Sequence, residues 1–263
     1  MRTAWLKYLL GGPLALTCGA TAAAQATHAQ INRQDMVWLS VNTVFRFTDR
    51  WGAVADFHVR RNNFLADPGF YFLRFGAQYW LRNDLTLTAG YAHLWLAPTR
   101  PGYSTYANEN RLYLQLQYSS RIGQVSMTQR LRNEERWREV VVNDQSTHTY
   151  LFSNRIRYLL SVTVPVVKDD RIPSLVVADE ICMQFGQGIV YNAMDQNRTF
   201  LGIRQKLSKS WSFDLGYMLV IQQKASGYQY DFNHTFRWFF YGTIDTRRKA
   251  GQQTDKHPTI NDE

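Results

Sequence analysis

Ten charged residues between positions 109 and 198 recur at a spacing of two or sit alone on otherwise alternating segments. They are Glu109 and Arg111; Arg130, Arg132, Glu134 and Arg136; Arg155 and Arg157; Glu180; and Arg198. Side chains two apart share one face of a β-strand, so each run is a file of guanidiniums and carboxylates. Two chemistries suit such files. Opposite charges on neighbouring strands can pair as a ladder that sets register and fills an interior. Guanidiniums in excess over carboxylates can instead attract and hold an anionic solute. Seven Arg face three Glu in this set, so both can hold together. The ladder takes the larger share, because a buried Arg is costly unless paired.

A second constellation is Asp56, His58 and Arg60, again two apart. Asp56 and His58 could activate water in a surface hydrolase, but Arg60 next in the file favours a structural salt bridge. A Ser–His lipid hydrolase is not encoded in the usual way, since no His is followed by Ser at the second position. His148 and Ser153 fall on opposite faces of a strand. No spacing matches a metal site, a nucleotide loop or a haem attachment, so no cofactor is expected. Cys182 reads as a small apolar filler. The preferred reading is non-enzymatic. An outer-membrane hydrolase acting on lipid or peptide, through His58 and Asp56, is the alternative.

The elements that must position these files are legible in residues 123–138. There Ser126, Thr128, Arg130, Arg132, Glu134 and Arg136 share one face, and Val125, Met127, Leu131 and Trp137 the other. A soluble sheet turns its apolar face to a core and leaves charge in water. A wall that is apolar outside and polar inside explains charged files along most of the chain more simply, and such a wall is a membrane β-barrel. Eleven segments alternate in this way: 36–47, 51–61, 70–82, 84–96, 109–120, 123–137, 149–164, 174–186, 196–207, 210–223 and 229–241. Val37, Leu39, Val41, Phe45 and Phe47 form one lipid-facing file; Trp211, Phe213, Leu215, Tyr217, Leu219 and Ile221 form another. Each segment reaches the roughly 9–11 residues a tilted transmembrane strand needs. A mean hydropathy of −0.37 with 14% aromatic residues fits aromatic girdles around a polar lumen. No apolar stretch long enough for a transmembrane helix follows the N-terminus.

Connections alternate in length. Short turns fall at 48–50, 82–84, 120–122 and 208–209, with 165–173 an extended member; longer polar loops fall at 62–69, 97–108, 138–148 and 188–195. Bacterial single-chain barrels have even strand numbers, so eleven segments lead to an expectation of about twelve strands, in a range of ten to twelve. The fold class is therefore all-β, an antiparallel transmembrane barrel over residues 30–241. Residues 1–29 read as a signal peptide, with Arg2 and Lys7 before a short apolar run and small residues at 20–29. Cys18 lacks the run-up of a lipidated cysteine. Residues 242–263 read as a polar, disordered tail. The formal charge is +9, of which the barrel body keeps +7. Nucleic acid is excluded as a partner, because the Arg residues are spread singly at strand spacing in an exported chain. The expected partners are outer-membrane lipid, the barrel-assembly machinery and a small anionic solute, in the outer membrane of a Gram-negative bacterium.

The ordered set Glu109-x-Arg111, Arg130-x-Arg132-x-Glu134-x-Arg136, Arg155-x-Arg157-Tyr158, Glu180 and Asn197-Arg198-x-x-x-Gly202, with Gly90-Tyr91 and Gly216-Tyr217, resembles a known family. It is the bacterial family called domain of unknown function 2490, over about residues 35–241. The resemblance implies an outer-membrane barrel and no catalytic residues. The chain departs from barrels of this kind in its polar tail, since they commonly end on an aromatic residue, here Phe240 or Tyr241.

Overall fold

Eleven strands form one closed sheet in the computed structural model, which describes residues 29–247 except 168 and 170. In chain order they are β1 (Gln30–Arg46), β2 (Trp51–Asn62), β3 (Asp67–Arg82), β4 (Leu85–Leu96), β5 (Ala107–Ile122) and β6 (Val125–Val142). There follow β7 (Gln145–Pro165), β8 (Ser174–Phe185), β9 (Met194–Lys206), β10 (Trp211–Gln223) and β11 (Gln229–Asp245). Each strand pairs antiparallel with the next. The ring closes where β1 lies parallel to β11 along its whole length, from Gln30 opposite Gln229 to Arg46 opposite Asp245. Following partners around the wall from Arg46 returns to β1 at Asn32, fourteen residues up the strand. That stagger corresponds to strands tilted by about 40°.

The parity argument for a twelfth strand fails here. A ring with an odd number of alternating strands must contain one parallel pair, and β1–β11 is that pair. The eleven strands among the described residues stay within the expected ten to twelve. A consequence is that the chain enters the barrel at one end and leaves it at the other. The connections 47–50, 83–84, 123–124, 166–173 and 207–210 lie at the leaving end; 63–66, 97–106, 143–144, 186–193 and 224–228 lie at the other.

One expected loop is a strand pair. Residues 138–148 continue β6 and β7 as a hairpin closed by Asn143 and Asp144, whose φ angles of 50° and 61° define a two-residue turn of the kind that suits twisted strands. Because β8 joins β7 only from Asn154, the hairpin stands above its neighbours. The expected signal segment lies outside the described residues apart from Ala29, as does the tail from residue 248. β11 itself continues to Asp245.

The outer face carries the apolar files, with Leu112, Leu114 and Phe75 each about half exposed. Trp51, Tyr79, Tyr118 and Trp211 ring the short-turn end; Tyr71, Trp95, Trp137 and Phe152 ring the other. Polar residues interrupt this face where simple alternation leaves them no choice. Asn133 and Glu135 share it with Leu131 and Trp137, and exposed Asp179 accepts hydrogen bonds from Thr199 Oγ1 (2.8 Å) and Asn197 Nδ2 (3.1 Å). The inner face is not polar throughout. One buried cluster unites Trp38, Val176, Ala178, Phe200, Met218 and Val220; another unites Phe72, Ala92 and Leu94.

Candidate functional site

Five neighbouring strands, β5 to β9, bring the charged files together. Register places Tyr113, Glu134 and Arg155 in one row, Gln115, Arg132 and Arg157 in the next, and Leu159, Glu180 and Arg198 in a third. Glu134 accepts from Arg155 Nε at 2.9 Å and from Arg157 Nη1 at 2.7 Å. The guanidiniums of Arg132 and Arg111 approach it at 3.5 and 3.6 Å. Glu180 receives Arg130 at 2.7 Å, Arg157 at 2.6 Å and Arg198 at 2.9 Å. Glu109 holds Arg111 at 2.5 Å. Glu134 and Arg155 are each only 3% exposed, so these are desolvated contacts.

Sequence reasoning missed a fourth carboxylate. Asp195 receives Arg155 at 2.7 Å and Arg136 at 3.6 Å. Two-residue periodicity from outward Asn197 puts Asp195 outside, but the β8–β9 register shifts between Cys182 and Met183. The resulting bulge turns Asp195 inward beside Gln196, as an extra residue in one strand does. No feature of the sequence marks that shift. Even with Asp195, seven arginines share four carboxylates; Gln115 and Gln184 help by accepting from Arg132 (2.8 Å) and Arg136 (2.6 Å).

The opposite wall is aromatic. The Arg60 guanidinium lies 3.4 Å from the centre of the Trp38 ring and 4.4 Å from Phe70, with no described carboxylate in salt-bridge reach and Nε unpartnered. Arg198 approaches the same Trp38 ring at 5.4 Å. Arg237 packs at 4.2 Å from Phe200 and 4.3 Å from Phe239. His58 is edge-on to Phe72 (4.8 Å) and Phe239 (5.5 Å), and neither ring nitrogen has a hydrogen-bond partner. Asp56 is bound to Arg74 rather than to His58. The pair nominated for hydrolysis is therefore not joined.

Glycine pairs let the wall approach closely. Gly76 and Gly90 are cross-strand partners, and a Cβ at Gly90 would meet Gly76 Cα at 2.6 Å and Tyr113 Cε1 at 2.8 Å. The Tyr113 ring thus lies against bare backbone, where Arg74 and Arg132 each approach it at 5.3 Å. Gly202 and Gly216 repeat the arrangement beside Phe200.

Between the two walls runs a cavity of about 1290 Å³. Nine of the ten charged residues singled out above line it, and Glu134 sits just behind them, enclosed by their guanidiniums. At the rim, Asp144 at the tip of the β6–β7 hairpin accepts from the Ser104 and Thr105 amides at 2.9 and 2.7 Å. These backbone donors hold its carboxyl below the usual carboxylate range.

The fold and this interior define the class: a closed β-barrel with an ionic network on one inner wall and aromatic packing on the other. The family model for a protein of unknown function (DUF2490) matches residues 35–231, and the chain belongs to that family. No curated protein and no solved structure matches the chain.

Proposed function

We propose that this protein is a non-enzymatic barrel of a Gram-negative outer membrane whose interior prefers small anions. The chain would be exported by its N-terminal segment and placed in lipid by the barrel-assembly machinery. Three features support the membrane reading. The outer face is apolar, aromatic residues ring both ends, and twelve-residue strands tilted by about 40° cover roughly 30 Å, near the thickness of a bilayer core.

The observation that carries the solute preference is the excess of arginine around one cavity: the ladder sets seven arginines against four carboxylates, and the rest of the lining adds Arg60, Arg74, Arg138, Arg204 and Arg237 against Asp56 and Asp214. Fixed positive charge inside a low-dielectric wall concentrates anions and repels cations. Glu134 and Glu180 neutralise the deepest guanidiniums and set their geometry, while the surplus charge faces the cavity. Planar-bilayer recording of the purified barrel tests this. The expected result is discrete steps selective for anions, shifting toward cations in Arg132→Glu. Cation selectivity, or selectivity unmoved by that reversal, would overturn the proposal; a silent bilayer would make the barrel a closed structural one.

A further inference from the structure

We infer that the cavity takes an amphipathic organic anion, a carboxylate carrying an alkyl chain, rather than an inorganic ion alone. The inference rests on the anion-binding reading of the interior and adds what the aromatic wall is for. An inorganic anion needs only guanidiniums, and a water-filled passage is better lined by polar groups throughout. Here the cavity is bounded on one side by the charged files and on the other by Trp38, Phe70, Phe72, Leu94, Phe200 and Phe239, among which the ionic groups Arg74–Asp56 and Arg204–Asp214–Arg237 are already paired. A ligand with one charged end and one apolar body matches both walls at once.

The junction of the walls indicates where the head would sit. Arg60 rests on the faces of Trp38 and Phe70 and has no carboxylate partner among the described residues. Arg198 reaches the same indole from β9, so Trp38 contacts two guanidiniums, and of these only Arg198 is paired, with Glu180. A carboxylate at that junction would supply the missing charge to Arg60 and accept from its fork. Just beyond, His58 is 7% exposed and offers two unpartnered ring nitrogens between Phe72 and Phe239. A chain running past it along the apolar wall would be shielded from water over most of its length. The cavity of about 1290 Å³ exceeds the roughly 300–1,000 Å³ typical of small-molecule sites, so room is not limiting.

Equilibrium dialysis of the full-chain barrel in nanodiscs, against empty nanodiscs, tests the inference. The probes are radiolabelled hexanoate, octanoate and decanoate, with octanol and inorganic phosphate as comparison ligands. The expected result is saturable carboxylate binding, tightening about tenfold for each two methylenes. Phosphate should compete only at a hundredfold or greater excess, and octanol should bind at least tenfold more weakly than octanoate. Arg60→Gln, checked for a folded, heat-modifiable gel band, should weaken octanoate at least tenfold, and Arg60→Lys less. Equal competition by phosphate with no chain-length dependence would overturn the inference yet leave the anion-preferring interior standing. Octanol binding as tightly as octanoate would reduce the site to an apolar pocket and also overturn it. If no anion binds at all, this inference falls, while the bilayer selectivity decides the proposed solute preference separately.

Discussion

Glu134 is the residue on which most of the interior geometry converges, with four guanidiniums within 3.6 Å of its carboxylate. Removing one partner of a buried ionic cluster leaves the others desolvated and repelling each other. Glu134→Ala should therefore destabilise the barrel by about 3–5 kcal/mol, whereas the isosteric Glu134→Gln, which keeps an acceptor, should cost less. Urea titration of the heat-modifiable gel band measures both. An unchanged midpoint for Glu134→Ala would mean that water reaches the cluster and the ladder adds little. At this scale much was legible beforehand. The spacing of Arg130 to Arg136 puts the four charges on one face, and the structure brings them to one network. Which arginine meets which carboxylate was not legible, because partners such as Arg155 and Asp195 are set by register between strands, and a bulge reverses Asp195.

Among the elements, the β6–β7 hairpin departs most from expectation. Residues 138–148 read as a loop because Arg138, Glu139 and the polar run 143–148 break the alternation, although Val140, Val141 and Val142 favour a strand and Asn143-Asp144 a tight turn. The structure instead makes a two-residue turn at Asn143 and Asp144, residues that tolerate positive φ, and lets the strands run on. Asp144 then ties the tip to the 97–106 connection through the Ser104 and Thr105 amides. Its carboxyl is held below the ordinary range, so the tie contributes fully above the usual carboxylate pKa. It is lost as pH falls through the depressed value. Amide protection of Ser104 and Thr105 by hydrogen exchange should therefore drop in acid. Asp144→Ala should lower it at pH 7 and abolish the pH dependence; protection that is independent of both would exclude the tie.

For the whole molecule, the decisive feature is the parallel seam. It lets eleven strands close without a twelfth and places the two ends of the wall strands at opposite rims. Two engineered cysteine pairs in a Cys182→Ser background test it: Leu39→Cys with Trp238→Cys, and Val41→Cys with Phe240→Cys. Both pairs are in register in the parallel seam, and no antiparallel register aligns both. Both should oxidise to disulfides in the folded barrel. Cross-linking of only one pair, or neither, would mean a different closure.

The sequence by itself determined the sheet, the sidedness of most of its strands and the files of charge they carry. Each of these follows from a period of two, which is a local property of the backbone. Glycines at 76, 90, 202 and 216 were visible as residues but not as paired seats for Tyr113 and Phe200, because that role exists only once β3–β4 and β9–β10 are aligned. The apolar half of the interior was hidden for a related reason. Inward Phe70 and Phe72 on β3, and Met218 and Val220 on β10, alternate with outward apolar residues, so within one strand both faces read as apolar and neither is marked as the lumen side. Only closure of the wall, with β1 against β11, gathers such inward residues into the apolar clusters that face the arginines. Register and closure join residues as far apart as 30 and 229, and no pattern confined to one strand can specify such a pairing.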